Sequence, residues 1–436
     1  MSKYVFTVPS YKAINSASIV NDGITVIAGE NGSGKSTLSR MMYYTVNIMS
    51  DFAGFIFRET LSNVIDIARP LRDALGQTTH QVQSRLTVRK SFDQLSESTS
   101  FDDLGDNFQS MLNEYEPILV AFFSTVKEKI KQDRILDYLG VQASGQPETL
   151  ATACINVILG KFTEIIASAQ ENIDKHPKAL LLDYIRTYGL DLQDYPTKGV
   201  RFTENDVDLL ISKFFSAPLS LHRAIYIDTP MAVNDNFNFS TRYWNNLNGL
   251  MNQEAVDGTK EEMLLRKKLR NILHGDILIE KDKFTSRTKL CYKRYDGLEI
   301  DLVNAATGFK SFAYLLRLLA NGYLKNDTLL LIDEPEAHLH PQWIVEFANI
   351  LVQLNKVLGV KVIVTSHNPD MVSAIRAISE AEGILENTRF YLAKCQDPET
   401  YKFDYVDLGT EIGPIFESFN IALNRIEFYG TRDTSL

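Results

Sequence analysis

The sequence predicts an α/β fold that combines a parallel sheet with one large helical insertion. First, a buried strand pattern, GITVIA, runs directly into a glycine-rich turn and a helix. Second, apolar strands alternate with amphipathic helices late in the chain, an order typical of a parallel sheet covered by helices. Third, residues 51–218 show mainly helical spacing of apolar residues. We therefore expect residues 1–50 and 219–436 to form one body, with 51–218 as an insertion close to a small domain in size.

Composition narrows the class of protein. Hydrophobic residues make up 44% of the 436 positions, which is ordinary for a globular core. The formal net charge of −10 argues against a wholly basic nucleic-acid binder. The net charge does not exclude a local basic strip, and LRKKLR at 265–270 could contact DNA. Such a helix face is more often only solvated.

Three cysteines, at 154, 291 and 395, show no paired spacing, which argues against a disulfide framework or a thiolate zinc site. The first residues lack the apolar run of a signal peptide. No stretch reaches the ~18 consecutive apolar residues of a membrane helix. We expect a soluble, cytoplasmic protein without a membrane partner.

In the first half, YVFTV and GITVIA read as strands, and a helix is expected from Lys35. The insertion contains long apolar-periodic segments that five prolines interrupt, so one long coiled coil is not expected. The prolines are Pro70, Pro117, Pro147, Pro177 and Pro196.

In the second half, RAIYID reads as a strand and EEMLLRKKLRNIL as a helix. GDILIEK, KLCYKRY and LEIDLV read as short antiparallel strands. TLLLID and KVIVTS are buried strands that alternate with helices, one of which starts at Pro341, a favoured first-turn position. RFYLAKC and KFDYVDL predict a closing hairpin. Because ligands bind at the carboxyl ends of parallel strands, polar residues there are the candidates for a site.

The segment GENGSGKS, Gly29 to Ser36, fits the pattern G-x-x-x-x-G-K-[ST] after a strand and before a helix. Its glycines let successive N–H groups face phosphate oxygens, and the helix N-terminus adds partial positive charge. Lys35 would reach the β- and γ-phosphates, and Ser36 would offer its hydroxyl to Mg²⁺. The alternative is a glycine-rich turn with a surface lysine. The predicted ATP-binding residues are Gly29, Glu30, Asn31, Gly32, Ser33, Gly34, Lys35, Ser36 and Thr37.

Two adjacent acids mark the end of the strand TLLLID. Asp333 at its end is expected near Mg²⁺, and Glu334 is the natural general base or water-orienting group. The alternative is an acidic turn that caps the helix from Pro341. His367, just past KVIVTS, could contact a γ-phosphate oxygen, although a lone histidine at a strand end is usually structural.

The segment GENGSGKST, then LLLIDEP, then IVTSH resembles the order of Walker A, Walker B and switch histidine in ABC-type ATPases. The resemblance implies a P-loop ABC-type ATPase head that dimerises head to head, with ATP sites shared between subunits. Thr307 and Gly308 stand where that family has the Ser-Gly of its signature motif, and would contact ATP held by the other subunit. Phe309 and Lys310 depart from that motif. An ordinary helix N-cap at Thr307 is the alternative.

In the same alignment, Glu336, His338, Leu339 and His340 fall on the D-loop, a dimer contact, and His340 replaces an aspartate. A structural metal site built from Glu336 and the two histidines is the minority alternative. No glutamine can be assigned to the Q-loop. Phe6 and Tyr11 are weak candidates for stacking on adenine.

The segment EPEAHLHPQW resembles the corresponding sequence in the overcoming-lysogenization-defect nucleases and in the ATPase subunits of anti-phage systems such as Septu, PARIS and retron-associated systems. Those nucleases carry a further module with a DxD set, which the last sixty or so residues here lack. The resemblance implies an ATPase that senses phage and controls a separate effector, a nuclease or a toxin. Alternatives are a repair or chromosome-maintenance ATPase of the RecF or SMC-like type, with possible DNA binding, an ATP-gated scaffold with slow turnover, and a transporter's nucleotide-binding subunit.

Overall fold

A computed structural model describes residues 2–78, 82–125, 129–142, 144–228, 242–281, 288–397 and 399–417. Its strands are β1 (Tyr4–Val8), β2 (Ile14–Asn21), β3 (Ile24–Gly29), β4 (Arg201–Glu204), β5 (Val207–Asp208), β6 (Arg223–Ile227), β7 (Gly275–Lys281), β8 (Thr288–Arg294), β9 (Glu299–Asp301), β10 (Thr328–Asp333), β11 (Lys361–Ser366), β12 (Thr388–Asp397) and β13 (Lys402–Gly409).

The helices are α1 (Lys35–Ser50), α2 (Phe52–Thr78), α3 (Val82–Ser96), α4 (Phe101–Phe123), α5 (Lys129–Leu139), α6 (Pro147–Lys175), α7 (Lys178–Tyr188), α8 (Arg242–Met251), α9 (Lys260–Leu273), α10 (Thr307–Ala320), α11 (Pro341–Leu358) and α12 (Pro369–Ala381). The chain divides into two compact units, Met1–Ser50 with Pro177–Leu436, and Asp51–His176.

The first unit contains a ten-stranded mixed sheet in the order β5-β4-β1-β2-β13-β12-β3-β11-β10-β6. Strands β12, β3, β11, β10 and β6 run parallel, as the late alternation of strands and helices predicts. Strands β3, β10 and β11 are buried along their whole length, because helices cover both faces. The observed architecture confirms the predicted α/β fold with a helical insertion.

The register of the central strands brings their carboxyl ends together. Asp333 at the end of β10 lies opposite Thr365 of β11, and Ser366 of β11 lies opposite Ala28 of β3. The residues that follow each of these strands therefore meet at one edge of the sheet, where ligands bind in open α/β folds.

The expected antiparallel strands are also present. Strands β7, β8 and β9 form a separate three-stranded sheet, and β12 and β13 form the closing hairpin. Strand β2 has no counterpart among the strands predicted from the sequence. It pairs antiparallel with β1 and parallel with β13.

The second unit is helical, comprises α2 to α6, and has its own apolar core. Leu75, Leu104, Tyr115 and Leu119 are fully buried there. The unit ends at His176, whereas the sequence predicts an insertion that extends to residue 218. Residues 177–218 belong to the first unit instead, because α7 packs on α1 and β4 pairs with β1.

Among the described residues, α6 has the length and apolar composition that a membrane span requires. Core helices of soluble proteins show the same properties. Four of its residues, Ala151, Cys154, Ile158 and Ala169, are buried, and three of these lie in the core of the helical unit. The absence of a membrane partner stays a prediction. All three cysteines are free thiols.

Candidate functional site

The glycine-rich loop joins β3 to α1 as the sequence predicts. Gly32 and Gly34 adopt φ values of 82° and 93°, which side chains disfavour. A Cβ on Gly29 would lie 2.7 Å from Cβ of Ala393 in β12, so close approach also demands glycine there. The hydroxyl of Tyr405 in β13 donates to the carbonyl of Ser33 at 3.0 Å. This hydrogen bond from the closing hairpin constrains the backbone conformation of the loop.

Lys35 begins α1 and is 4% exposed. Its Nζ donates to the carbonyls of Gly29 and Glu30, each at 2.9 Å. Burial lowers the pKa of the Lys35 ammonium, while the negative charges of Glu334, Asp333, Glu336 and Glu30 act in the opposite direction. The loop lysine and the acids that follow β10 therefore share one electrostatic environment.

The other loop residues differ in exposure. Glu30, Asn31 and Gly32 are exposed, Ser33 is buried, and Gly34, Ser36 and Thr37 are partly buried. The first part of the loop is therefore open to solvent, and its later residues are partly or fully buried.

Asp333 is 5% exposed and held from both neighbouring strands. Tyr226 of β6 donates its hydroxyl to Oδ2 at 3.3 Å, and Thr365 of β11 donates to Oδ1. Burial and the nearby Asp333 charge raise the pKa of Tyr226 well above its usual value, so this phenol remains a donor. The orientation of the carboxylate is fixed by two hydroxyls that the sequence analysis did not single out.

Glu334 occupies a left-handed conformation with φ 46°, and its N–H donates to the Thr365 carbonyl at 3.0 Å. This conformation turns its side chain toward His367, whose Nδ1 lies 3.2 Å from Oε1. Their hydrogen bond lowers the pKa of the Glu334 carboxyl and raises that of the His367 imidazole. The two residues that the sequence analysis expected to act on phosphate and water are in direct contact.

Glu336 is 5% exposed, which differs from the expected position at a subunit interface. Its Oε1 accepts from the Ser366 hydroxyl at 2.7 Å and from the His367 N–H at 3.0 Å. The reason is local geometry, because the turn after β10 folds this carboxylate back against the end of β11. Three consecutive residues, 365 to 367, thus contact the three acids at 333, 336 and 334.

The two histidines of this turn lie elsewhere. His338 is exposed with φ 66°, and His340 is exposed and caps α11, where its Nδ1 accepts from the Gln342 N–H at 3.4 Å. Across the described ranges, no cluster of three or more His, Cys, Asp or Glu side chains is placed to hold a metal ion. The alternative of a structural metal site at this turn is therefore not supported.

Thr307 and Gly308 form the first turn of α10. The N-cap is Ala306, so Thr307 is not the ordinary N-cap that the alternative required. Gly308 is buried, and a Cβ built on it would lie 2.6 Å from the His338 carbonyl oxygen. The structure thus brings Gly308 against the turn after β10 of the same chain.

The residues present fit ATP with Mg²⁺. Mg²⁺ prefers oxygen ligands and is usually held by one or two protein groups together with phosphates and water. Ser36 offers a hydroxyl, and the buried, hydrogen-bonded Asp333 offers a carboxylate. One hydroxyl and one carboxylate are enough protein ligands for a magnesium ion that is also bound by nucleotide phosphates and water.

The candidate for adenine stacking and the candidate basic segment both have roles in the packing of the protein. Phe6 is 3% exposed and packs edge-on against Phe202, so its ring is not presented to an adenine. In the basic segment at 265–270, Arg266 is buried and donates to the carbonyls of Val256 and Leu319. Arg270 pairs with Asp276 at 2.8 Å. The two lysines of this segment differ in exposure, since Lys267 is exposed and Lys268 is partly buried.

A protein-family model described as "AAA domain, putative AbiEii toxin, Type IV TA system" matches residues 187–373, which include β6, β10, β11 and the acids between them. No curated protein matches. The observed sheet, the glycine-rich loop and this match together indicate similarity to P-loop ATPases.

Solved structures with some likeness include head domains of Smc proteins. One is the Smc head with an extended coiled coil from Pyrococcus furiosus, bound to the C-terminal domain of ScpA (12% identity, TM-score 0.33, 98% of this chain and 100% of that chain). Another is the SMC head domain from Thermotoga maritima (12% identity, TM-score 0.29, 49% and 66%). A third is the Smc head with coiled coil and joint from Pyrococcus yayanosii (10% identity, TM-score 0.28, 88% and 63%). At these TM-scores the likenesses carry no inference about this chain.

Proposed function

We propose that the protein binds and hydrolyses ATP at the sheet edge formed by β3, β10 and β11. The observation that carries this proposal is the convergence of Lys35, Asp333, Glu334 and His367, from three separate segments, on one site. A phosphate loop alone could serve binding only. A buried carboxylate next to a second carboxylate and an imidazole also provides for attack by water.

In the proposed reaction, the loop amides from Gly29 to Thr37 bind the phosphates, and Lys35 leaves its backbone acceptors to contact the β- and γ-phosphates. Ser36 and Asp333 would hold Mg²⁺, which supplies charge compensation on the phosphate oxygens. Glu334 orients and deprotonates the attacking water, and His367 donates a hydrogen bond to a γ-phosphate oxygen. Because Glu334 is paired with His367 here, hydrolysis requires the carboxylate to exchange this partner for water.

The function is tested by measuring phosphate release from ATP by the wild-type protein and by Lys35→Ala. We expect magnesium-dependent release that Lys35→Ala reduces by roughly 100-fold or more, as expected for loss of a charge on the transferred group. Lys267→Ala, which changes an exposed lysine of α9, is the matched control and should retain wild-type activity. A wild-type protein that neither binds ATP nor releases phosphate would refute the proposal.

We further propose that the ATP site is completed by a second copy, as the ABC-type pattern implies. The exposed His338 and His340 support an interface there. A Lys35→Ala subunit mixed with a Thr307→Arg subunit leaves one composite site intact in each mixed dimer. Activity above either parent is expected, and no gain on mixing would contradict site sharing.

For the cellular role, we propose a cytoplasmic ATPase that senses infection and controls a separate nuclease or toxin. The matched family's description, "AAA domain, putative AbiEii toxin, Type IV TA system", supports a role in such a system. The separate effector rests on the resemblance of EPEAHLHPQW to ATPase subunits of anti-phage systems. The alternative is a DNA repair or SMC-like ATPase. It would need phosphate contacts and hence steeply salt-dependent DNA binding, whereas Arg266 and Arg270 are engaged within the protein. Phage challenge of cells with and without a Lys35→Ala substitution tests the defence role directly.

A further inference from the structure

Glu336 is a buried carboxylate that the proposed reaction does not use. It lies between the turn after β10 and the end of β11, with its side chain 3% exposed. Oε1 accepts two hydrogen bonds, from the Ser366 hydroxyl and the His367 N–H. Oε2 is buried and has no hydrogen-bond partner among the described residues. One oxygen of this carboxylate is therefore fixed by hydrogen bonds, whereas the other is not.

A charge at this position is costly. Burial raises the pKa of the Glu336 carboxyl, since removal from water disfavours the charged form. A glutamine could accept the same two hydrogen bonds without that penalty. The two cationic groups near this carboxylate are the His367 imidazole, whose Nδ1 lies 3.7 Å from Oε1, and Lys35. The carboxylate is thus directed at the group expected to contact the γ-phosphate.

We propose that Glu336 is a positioning residue for His367. It fixes the backbone of residues 366 and 367 through Oε1, and its charge, together with that of Glu334, keeps Nδ1 protonated and directed at the carboxylates. The other ring nitrogen, Nε2, is then left to face the nucleotide. This inference rests on the proposed ATPase function and adds a residue that acts on ATP only through His367.

A purely structural role is the competing explanation, because Glu336 also ties two strand ends together. The two explanations differ in how Glu336 and His367 combine. If Glu336 acts through His367, removal of its charge has no further effect once the imidazole is gone. If it only stabilises the fold, its effect on turnover is either absent or independent of His367.

The first experiment measures kcat, KM and ATP affinity for Glu336→Gln, His367→Ala and the double variant. We expect Glu336→Gln to lower kcat by about 10- to 100-fold, as misplaced catalytic groups do, with ATP affinity within about twofold of wild type. The double variant should match His367→Ala. Wild-type kcat in Glu336→Gln, or losses that multiply in the double variant, would overturn the proposal.

Glu204→Gln is the matched control. Glu204 is also 5% exposed and accepts hydrogen bonds, from Tyr4, Leu219 and Ser220, but at the far end of the sheet on β4. Its replacement should leave kcat unchanged. If Glu336→Gln fails to fold, Ser366→Ala removes one of the two Oε1 bonds, and the same comparison with His367→Ala applies.

A second readout does not depend on hydrolysis. The groups that act on the His367 imidazole are Glu334, Glu336 and Lys35. NMR titration of the His367 ring, assigned with His367→Ala, should give a lower pKa in Glu336→Gln than in wild type. An unchanged pKa overturns the positioning role. If Glu336→Gln lowers the pKa of the His367 ring but the wild-type protein releases no phosphate, the ATPase proposal is refuted. The role of Glu336 in positioning His367 is then still supported.

Discussion

A methyl group at Gly308 would meet the backbone of the turn after β10. A Cβ at this position would lie 2.6 Å from the His338 carbonyl oxygen and 2.9 Å from the Leu339 side chain. We predict that Gly308→Ala lowers the free energy of unfolding by about 1–3 kcal/mol, because a backbone atom cannot move aside as a flexible side chain can. Urea denaturation measures the loss.

Gly249→Ala in α8 is the control for that substitution. Among the described residues, no atom outside the chain neighbours and the backbone of its own helix lies within 4 Å of a Cβ built at Gly249. Since alanine is the better helix former, this variant should gain about 0.5–1 kcal/mol. A Gly308→Ala variant as stable as wild type would show that α10 does not press against the turn.

The contact between Glu334 and His367 predicts a pH-dependent contribution to stability. The raised pKa of His367 makes its contribution complete below the ordinary value of 6.5 and lost as pH rises through the raised value. The lowered pKa of Glu334 makes its contribution complete above 4.5 and lost as pH falls. The destabilisation caused by Glu334→Gln should therefore be largest between these values.

Chemical denaturation of wild type and Glu334→Gln at a series of pH values measures this contribution. The difference in unfolding free energy should shrink as pH rises through the raised pKa of His367, where the imidazole loses its proton. A difference that does not change between mildly acidic and alkaline pH would contradict the ion pair.

Individual site residues were predictable to different extents. Asp333 and His367 follow from strand context, because Asp333 ends β10 and His367 directly follows β11. Lys35 follows from the glycine-rich loop motif between β3 and α1. The support from Tyr226, Thr365 and Tyr405 was not predictable, since it depends on which strands are neighbours in the sheet. Glu336 was misplaced because a carboxylate in a polar turn is normally exposed.

At the scale of elements, α9 shows how a basic segment can serve the fold. Arg266 is 4% exposed, and its guanidinium donates to two backbone carbonyls at 3.0 Å. We predict that Arg266→Ala costs about 2–3 kcal/mol, because buried carbonyls lose their donors.

Lys267→Ala changes an exposed position on the same helix and should stay within about 0.5 kcal/mol of wild type. Unfolding free energies from urea titrations compare the two variants. Equal effects of the two substitutions would contradict the buried role of Arg266.

Prolines mark the limits of predicting elements from sequence. Pro147 starts α6 at a favoured position. Pro70 and Pro117, however, lie inside α2 and α4 rather than ending them. Both helices place apolar residues in the core of the helical unit, and this packing outweighs one missing hydrogen bond each.

Strand β2 is not predicted by the sequence, because Ser and Asn occupy its exposed positions and weaken the alternation of apolar and polar residues.

At the scale of the whole molecule, the helical unit has its own core and should fold alone. Its buried side chains come from α2, α3, α4, α5 and α6, all within Asp51–His176. We predict that the isolated segment 51–176 is helical by circular dichroism and unfolds in one cooperative transition. A gradual loss of signal with temperature would show that it needs the rest of the chain.

If ATP is hydrolysed at the junction of β3, β10 and β11 with Glu334 acting on water, Glu334→Gln should separate binding from hydrolysis. Single-turnover hydrolysis by this variant is measured beside its ATP binding. We expect ATP binding to be retained and the rate of hydrolysis to fall by about 100-fold or more. A Glu334→Gln protein that hydrolyses ATP at the wild-type rate would contradict this role of Glu334.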